Sequence, residues 1–342
     1  MKRIRILIVD DSAFARKVVR EIVQSERTEV VGAARDGHEA LELAASLNPD
    51  LIISDLSMPG LDGIEFIRRQ MAARPVPILI LSSAAQDAAE VFTALNSGAV
   101  DVVHKPSGLA NDLLRDVKVD LMEKIMVIMR VAPEKQAQAS TITASSERIA
   151  VERRIDLVAI GISTGGPQAL RRLIPMFPRS FPAPIAIVLH MPIGYTAMYA
   201  EQLNEICALE VREAAEGDVL EPGVVLVAQA GRHLTVQRTG TGSVVSRLSV
   251  QPITKLHRPS VDVLFRSVAE TFGARALGVV MTGMGDDGKE GAGCIKASGG
   301  TVFTESEQSC VIYGMPRSVV EARLSDLEVP LDQMAETIIN FA

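Results

Sequence analysis

Two groups of residues in this 342-residue chain have the types needed for covalent chemistry. The first is Asp10, Asp11, Asp55, Ser82 and Lys105; the second is Ser163, His190 and the neighbouring pair Asp286 and Asp287. Each follows a short apolar run directly or within a few residues, and in an open parallel sheet ligands collect outside the carboxyl ends of such strands. Three carboxylates gathered at one edge repel one another unless a divalent cation sits among them, and hard oxygen ligands suit Mg²⁺. A lysine and a hydroxyl at the same edge supply donors for the oxygens of a phosphoryl group carried on one carboxylate. Taken singly, these residues have ordinary roles as helix caps, turn residues or surface charge. Their coincidence at successive strand ends argues for a site.

The second group implies different chemistry. Ser163 lies in GISTGGP, which satisfies G-x-S-x-G and enters the helical pattern ALRRLI. Glycines there permit close backbone approach, but the string alone is equally compatible with a tight or anion-cradling turn. A serine hydroxyl needs a base near neutral pH, and His190, which terminates IAIVLH, sits at another strand end. The other histidines are less well placed: His38 and His104 belong to the first third, His233 to the hairpin-like AGRHLTV, and His257 to the loop KLHRPS. An acid is expected from the glycine-rich TGMGDDGKEG, where either Asp286 or Asp287 is available and backbone amides could stabilise an oxyanion. The chain order Ser, His, Asp differs from the Ser, Asp, His order of α/β-hydrolases, so the string does not carry that fold with it.

The elements that position these groups are apolar runs alternating with amphipathic segments. Runs at residues 4–9, 51–53, 78–81 and 100–103 read as buried strands, and a 3.6-residue stripe through Leu113, Leu114, Val117, Leu121, Ile125 and Ile128 reads as a closing helix. Residues 132–148, APEKQAQASTITASSER, lack large apolar side chains except Ile142 and read as a linker. Strand-like runs resume at 155–160, 185–189, 224–227 and 277–281. The expectation is α/β, two doubly wound parallel-sheet domains, with boundaries at 1–125, 126–150 for the linker and the end of the closing helix, and 151–342.

Composition narrows the partners. Thirty-five basic against 42 acidic residues give a net charge of −7, so no whole-chain basic field exists to hold nucleic acid. Three scattered cysteines fit neither a closed disulfide framework nor a zinc site. No stretch approaches the ~20 apolar residues of a membrane span. A cytoplasmic protein that uses no nucleic acid is expected.

Residues 1 to about 125 resemble a response-regulator receiver domain, through Asp10-Asp11 after ILIV, Asp55 in SDLSMPGLDG, Ser82 in ILILSS and Lys105-Pro106 in DVVHKP. The resemblance implies a flavodoxin-like fold, phosphorylation of Asp55 by a chemotaxis histidine kinase, and Mg²⁺ held by Asp11, Asp55 and the Ser57 carbonyl with Asp10 assisting. It also implies that Ser82 and Lys105 read the phosphoryl group. Three residues before Lys105, where many receivers carry a rotating aromatic switch, stands Val102. GISTGGPQAL, LHMPIGYT, RPSVDVLF, MTGMGDDGKEGA and CVIYGMP resemble the chemotaxis protein-glutamate methylesterases. This second resemblance implies a Rossmann-like hydrolase with Ser163 as nucleophile, His190 as base and Asp287 as acid. It places Met284 as an oxyanion donor with Thr164 close by, and needs no cofactor for the esterase reaction. Its implied substrates are methylated chemoreceptors, met at membrane receptor arrays without a membrane segment of its own. Deamidation of glutamine is an implied second activity. A general small-molecule esterase and a non-catalytic, phosphorylation-dependent adaptor are the competing readings.

Overall fold

A computed structural model describes residues 3–82, 88–105, 111–131 and 155–342, and the chain divides into two compact units, residues 1–132 and 133–342. The expected linker from residue 132 onward lies outside the described residues, as does Pro106.

In the first unit, strands β1 (Ile4–Val9), β2 (Thr28–Ala34), β3 (Leu51–Asp55), β4 (Ile78–Ser82) and β5 (Asp101–His104) form one sheet. Every pairing is parallel, in the order β2-β1-β3-β4-β5. β3 and β4 are buried along their whole length, as strands covered on both faces must be. β2, which the apolar-run reading passes over, is the edge strand and only partly buried. Helices α1 (Ala13–Val23), α2 (Gly37–Leu47), α3 (Gly63–Ala73), α4 (Ala88–Asn96) and α5 (Asn111–Val131) provide the crossovers and the closing helix. Ser12, Asp36 and Asp62 cap the first three by accepting the amides of Ala15, Glu39 and Glu65. The strand order reverses between β1 and β3, so the crevice of this sheet opens beside Asp10, Asp11 and Asp55.

The second unit contains β6 (Leu157–Ile162), β7 (Ile185–Leu189), β8 (Glu210–Glu213), β9 (Val224–Val227), β10 (His233–Arg238), β11 (Val244–Ser249), β12 (Ala276–Val280), β13 (Thr301–Glu305) and β14 (Leu327–Val329). Seven form a wholly parallel sheet in the order β14-β13-β12-β6-β7-β9-β8. Its helices are α6 (Gly166–Leu173), α7 (Thr196–Asn204), α8 (Val261–Phe272), α9 (Lys289–Ala297), α10 (Met315–Glu321) and α11 (Leu331–Phe341). β10 and β11 form a separate antiparallel hairpin. A lone hairpin is marginal in water. This one is pinned to α8, whose Ser267 hydroxyl accepts the Val236 amide at 3.1 Å and whose Thr271 hydroxyl donates to the Val236 carbonyl at 3.2 Å.

Both units are therefore parallel-sheet α/β domains. From central β6 the chain builds β7, then the edge strand β8 and, between them, β9 on one side, and afterwards β12, β13 and β14 on the other. The reversal lies between β6 and β12, directly under Ser163 and the glycine-rich loop. Among the described residues no helix is long and apolar enough to cross a membrane, and all three cysteines are free thiols.

α8 lies against β6 at Gly161, where an added Cβ would sit 2.3 Å from the Val261 side chain. Gly161→Ala should therefore destabilise the second unit by about 1–3 kcal/mol through overpacking. Urea unfolding followed by a probe in that unit checks this; a midpoint at or above that of the parent would show that the close approach is no constraint.

Candidate active site

The first unit brings its predicted residues together. Asp10 is fully buried and Asp55 nearly so, and the Lys105 ammonium lies 2.7 Å from Asp10 Oδ2 and 2.8 Å from Asp55 Oδ2. Burial pushes the Asp10 carboxyl above its ordinary value despite the opposing hydrogen bond and charge of Lys105. Burial likewise disfavours the lysine's charge, yet its hydrogen bonds to Asp10 and Asp55 prevail and hold its pKa up. Asp11 is exposed, and oxygens of Asp10, Asp11 and Asp55 lie within 4.8 Å of one another. That all-oxygen donor set fits a hard divalent cation. Ser57 lies beside it, lining with Asp11 a cavity of about 400 Å³. Ser82 ends β4, almost fully buried, and its carbonyl accepts the Lys105 amide at 2.6 Å, which sets the lysine next to the neighbouring strand end.

In the second unit, two ladders run on past their strands. The His190 amide donates to the Ile162 carbonyl at 3.1 Å, and the Ser163 amide donates to the Thr282 carbonyl at 2.9 Å. Ser163 thus leaves β6 with His190 on one flank and the loop after β12 on the other. Its carbonyl accepts the Gly166 amide at 2.7 Å, closing a four-residue turn whose third member, Gly165, has φ +79°. A type II turn requires that conformation, which glycine adopts without strain. A side chain at Gly165 would also collide with Val311. Thr164 is buried within the turn, and its carbonyl accepts the Thr282 hydroxyl at 3.0 Å.

The glycine-rich loop distinguishes its two aspartates. Asp286 is exposed and pairs with Lys289 at 2.8 Å. Asp287 turns inward, with Oδ2 3.0 Å from His190 Nε2. It also accepts the Ser260 hydroxyl at 2.8 Å and the Val261 and Asp262 amides at 2.7 and 3.0 Å. These last three donors belong to the start of α8, so Asp287 caps that helix from a distant part of the chain. Burial pushes its carboxyl up, but the His190 hydrogen bond and charge, with the two amides, outweigh burial and hold it well below the ordinary range. His190 Nδ1 is buried and has no hydrogen-bond partner among the described residues, so the Ser163 hydroxyl is not bonded to it in this structure. The contact between His190 and Asp287 is formed; one between His190 Nδ1 and Ser163 is not. Met284 follows Gly283, whose carbonyl accepts the Gly314 and Met315 amides at 3.1 and 2.8 Å. An added Cβ on Gly283 would fall 2.7 Å from Ser163 Cβ, so this loop lies against the serine.

Several supporting residues escape the sequence reading. The fully buried Glu305 accepts the Thr282 amide at 2.9 Å, while the Thr282 hydroxyl accepts the Ile312 amide at 2.9 Å. Glu305 ends β13, so the strand-end signal that picks out Asp55 was available for it. His257 stacks on His190 with ring centroids 4.2 Å apart. His233 is buried, which depresses its pKa; its Nδ1 accepts the Ser260 amide at 3.2 Å and its Nε2 faces the Pro252 carbonyl at 3.1 Å. It is therefore a neutral, structural imidazole that holds Ser260, one of the donors to Asp287.

The depressed Asp287 pKa has a definite sign for stability. The unfolded chain takes up this proton near pH 4 and the folded chain only at lower pH, so the stabilisation is complete above that range and withdrawn as pH falls through it. Unfolding midpoints of the second unit should start to drop as pH falls below about 5 and go on dropping below about pH 3, and Asp287→Asn should flatten that drop. An equally steep acid limb in the variant would remove Asp287 as its source.

Comparison with known proteins agrees with this geometry. Residues 158–338 match the CheB methylesterase family and residues 6–118 the response regulator receiver domain. A protein of Myxococcus xanthus named protein-glutamate methylesterase/protein-glutamine glutaminase 5 is 47% identical, over 97% of this chain and 96% of its own length. A protein-glutamate methylesterase/protein-glutamine glutaminase of Halalkalibacterium halodurans is 41% identical over 98% of both chains. The crystal structure of the Thermotoga maritima CheB methylesterase catalytic domain covers 55% of this chain and 99% of its own, at 38% identity and a TM-score of 0.54. A chain that matches such relatives from end to end, and whose second unit shares this solved fold, belongs to the CheB methylesterase family of hydrolases and carries a response regulator receiver domain in front.

Proposed function

We propose that Ser163, His190 and Asp287 hydrolyse γ-methyl esters of glutamate side chains on chemoreceptors, releasing methanol, and that phosphorylation of Asp55 activates the reaction. The observation that carries this reading is the 3.0 Å contact of His190 with a strongly ionised Asp287, beside the turn that bears Ser163. Nε2 is engaged by the acid, so Nδ1 is the nitrogen that takes the serine proton. The contact between Ser163 and Nδ1 is assigned to the substrate complex, since such hydrogen bonds commonly tighten only when substrate binds. The Ser163 oxygen then attacks the ester carbonyl, and His190 returns the proton to the departing methoxide, giving methanol and an acyl-enzyme. Water, deprotonated by the same imidazole, releases the glutamate carboxylate and restores the serine. An amide in place of the ester gives ammonia and glutamate, which is glutamine deamidation. The Met284 amide is assigned to the developing oxyanion, with Thr164 beside the serine.

In the receiver, Asp55 accepts the phosphoryl group from a chemotaxis histidine kinase. Asp10, Asp11, Asp55 and the Ser57 carbonyl would hold Mg²⁺, which when bound offsets their mutual repulsion and the charge of the incoming phosphoryl oxygens. Lys105, already paired to Asp55, and the Ser82 hydroxyl read the phosphoryl oxygens. The catalytic centre requires no metal. We assign residues 1–125 to the receiver, 126–150 to the linker and the end of its last helix, and 151–342 to the hydrolase. The protein acts from the cytoplasm on membrane receptor arrays.

Ser163→Ala should lower methanol release from radiolabelled methylated receptors by about 10³-fold or more. Retention of the parent rate would remove Ser163 as the nucleophile, whereas no methanol release from the parent protein would favour an adaptor role. Asp55→Asn should leave basal hydrolysis intact while abolishing stimulation by a small-molecule phosphodonor, and removal of Mg²⁺ should do the same to the parent protein. Undiminished stimulation in either case would place the activating event elsewhere.

A further inference from the structure

Asp287 depends on a second buried carboxylate. α8 and α9 start close together, and each receives its cap from the chain leading into the other. Asp287, just before α9, accepts the Val261 and Asp262 amides of α8. Asp262, in the first turn of α8 and 5% exposed, returns the arrangement: its Oδ1 accepts the Gly288 amide at 2.9 Å and the Gly291 amide at 2.8 Å. Neither α8 nor α9 has a side-chain cap from its own N-cap residue, so the exchanged carboxylates satisfy amides that would otherwise be left unpaired inside the protein. The Gly288 amide belongs to the peptide bond that follows Asp287. Holding it fixes the backbone from which the Asp287 carboxylate projects.

The other oxygen of Asp262 reaches further. Oδ2 accepts the Lys255 ammonium at 2.9 Å, and Lys255 also pairs with Glu290 at 2.6 Å. Burial disfavours the lysine's charge, but its hydrogen bonds to Glu290 and Asp262 raise its pKa well above the ordinary value. Lys255 stands two residues before His257, whose ring stacks on His190. One side chain thus ties down both the acid that holds His190 Nε2 and the segment carrying the ring that lies on its face. We infer that Asp262 is a positioning residue for the hydrolase, orienting Asp287 through the exchanged helix caps and the His257 segment through Lys255. The inference rests on the Ser163–His190–Asp287 reading above.

The test uses the full-length protein and methylated receptor membranes, with Asp262→Ala, Asp262→Asn, Asp287→Asn and the double variant Asp262→Ala/Asp287→Asn. Asp262→Ala should reduce kcat by about 10- to 100-fold with KM unchanged within about twofold, as misplacement of a catalytic group does. Asp262→Asn keeps an oxygen that accepts both glycine amides, so it should recover most of that loss and remains informative if the alanine variant folds poorly. Once Asp287 is disabled, removing Asp262 should cost little more, because residues acting as a unit are non-additive. Parental kcat in Asp262→Ala, an asparagine variant as impaired as the alanine one, or full additivity with Asp287→Asn would each overturn the positioning role while leaving the triad standing. A fully active Asp287→Asn protein would instead remove the triad assignment, and this inference with it.

Discussion

An ionised carboxylate inside a protein is stable only where donors replace the water it has lost, and the second unit is arranged around meeting that requirement at Asp287. Two α8 amides, the Ser260 hydroxyl and the His190 ring supply four donors to two oxygens. The start of a helix is suited to this because its first amides have no partners of their own and its dipole favours negative charge. Part of what keeps Asp287 ionised is therefore independent of the imidazole. The charge that a proposed imidazolium would need is present before the reaction begins.

The receiver meets the same electrostatic problem differently. There several carboxylates converge; the amides of Ser12, at the start of α1, and of Leu56 donate to Asp10 and Asp55, and Lys105 bridges the two carboxylates. One ammonium cannot balance three carboxylates, and burial raises the pKa of Asp10 despite the Lys105 pairing. The excess negative charge suits the cluster to a hard divalent cation, whereas the donors around Asp287 leave no such excess. The two parallel sheets share the placement of a site at the point where strand order reverses.

Much of this was legible in the residues. Strands covered on both faces must be apolar throughout, so β1, β3, β4, β6, β7, β9 and β12 stand out as runs, and the polar residues beyond them become candidates. Edge strand β5 also reads as an apolar run, but the other three edges, and buried β13 with its two threonines and a glutamate, are harder to read. β2, β8 and β14 are exposed on part of their surface and carry Thr, Glu and Arg among their apolar residues, so no continuous run marks them. At the site, the residues alone did not choose between Asp286 and Asp287; that choice came from the family resemblance. The structure supplies the physical difference, since Lys289 holds Asp286 in solvent while α8 draws Asp287 inward. The capping of α8 from 25 residues away has no local sequence signal, because helix caps are sought among immediate neighbours.

The serine turn shows how little freedom the second site leaves. Thr282 uses its amide, carbonyl and hydroxyl at once: the amide on Glu305, the carbonyl on Ser163, and the hydroxyl between the Thr164 carbonyl and the Ile312 amide. Gly283 then meets Ser163 so closely that a Cβ would not fit. Backbone rather than long side chains sets the position of Ser163, and backbone held by hydrogen bonds on three sides has few alternative conformations. The Ser163 side chain, with one rotatable bond to its hydroxyl oxygen, retains the motion that the chemistry needs.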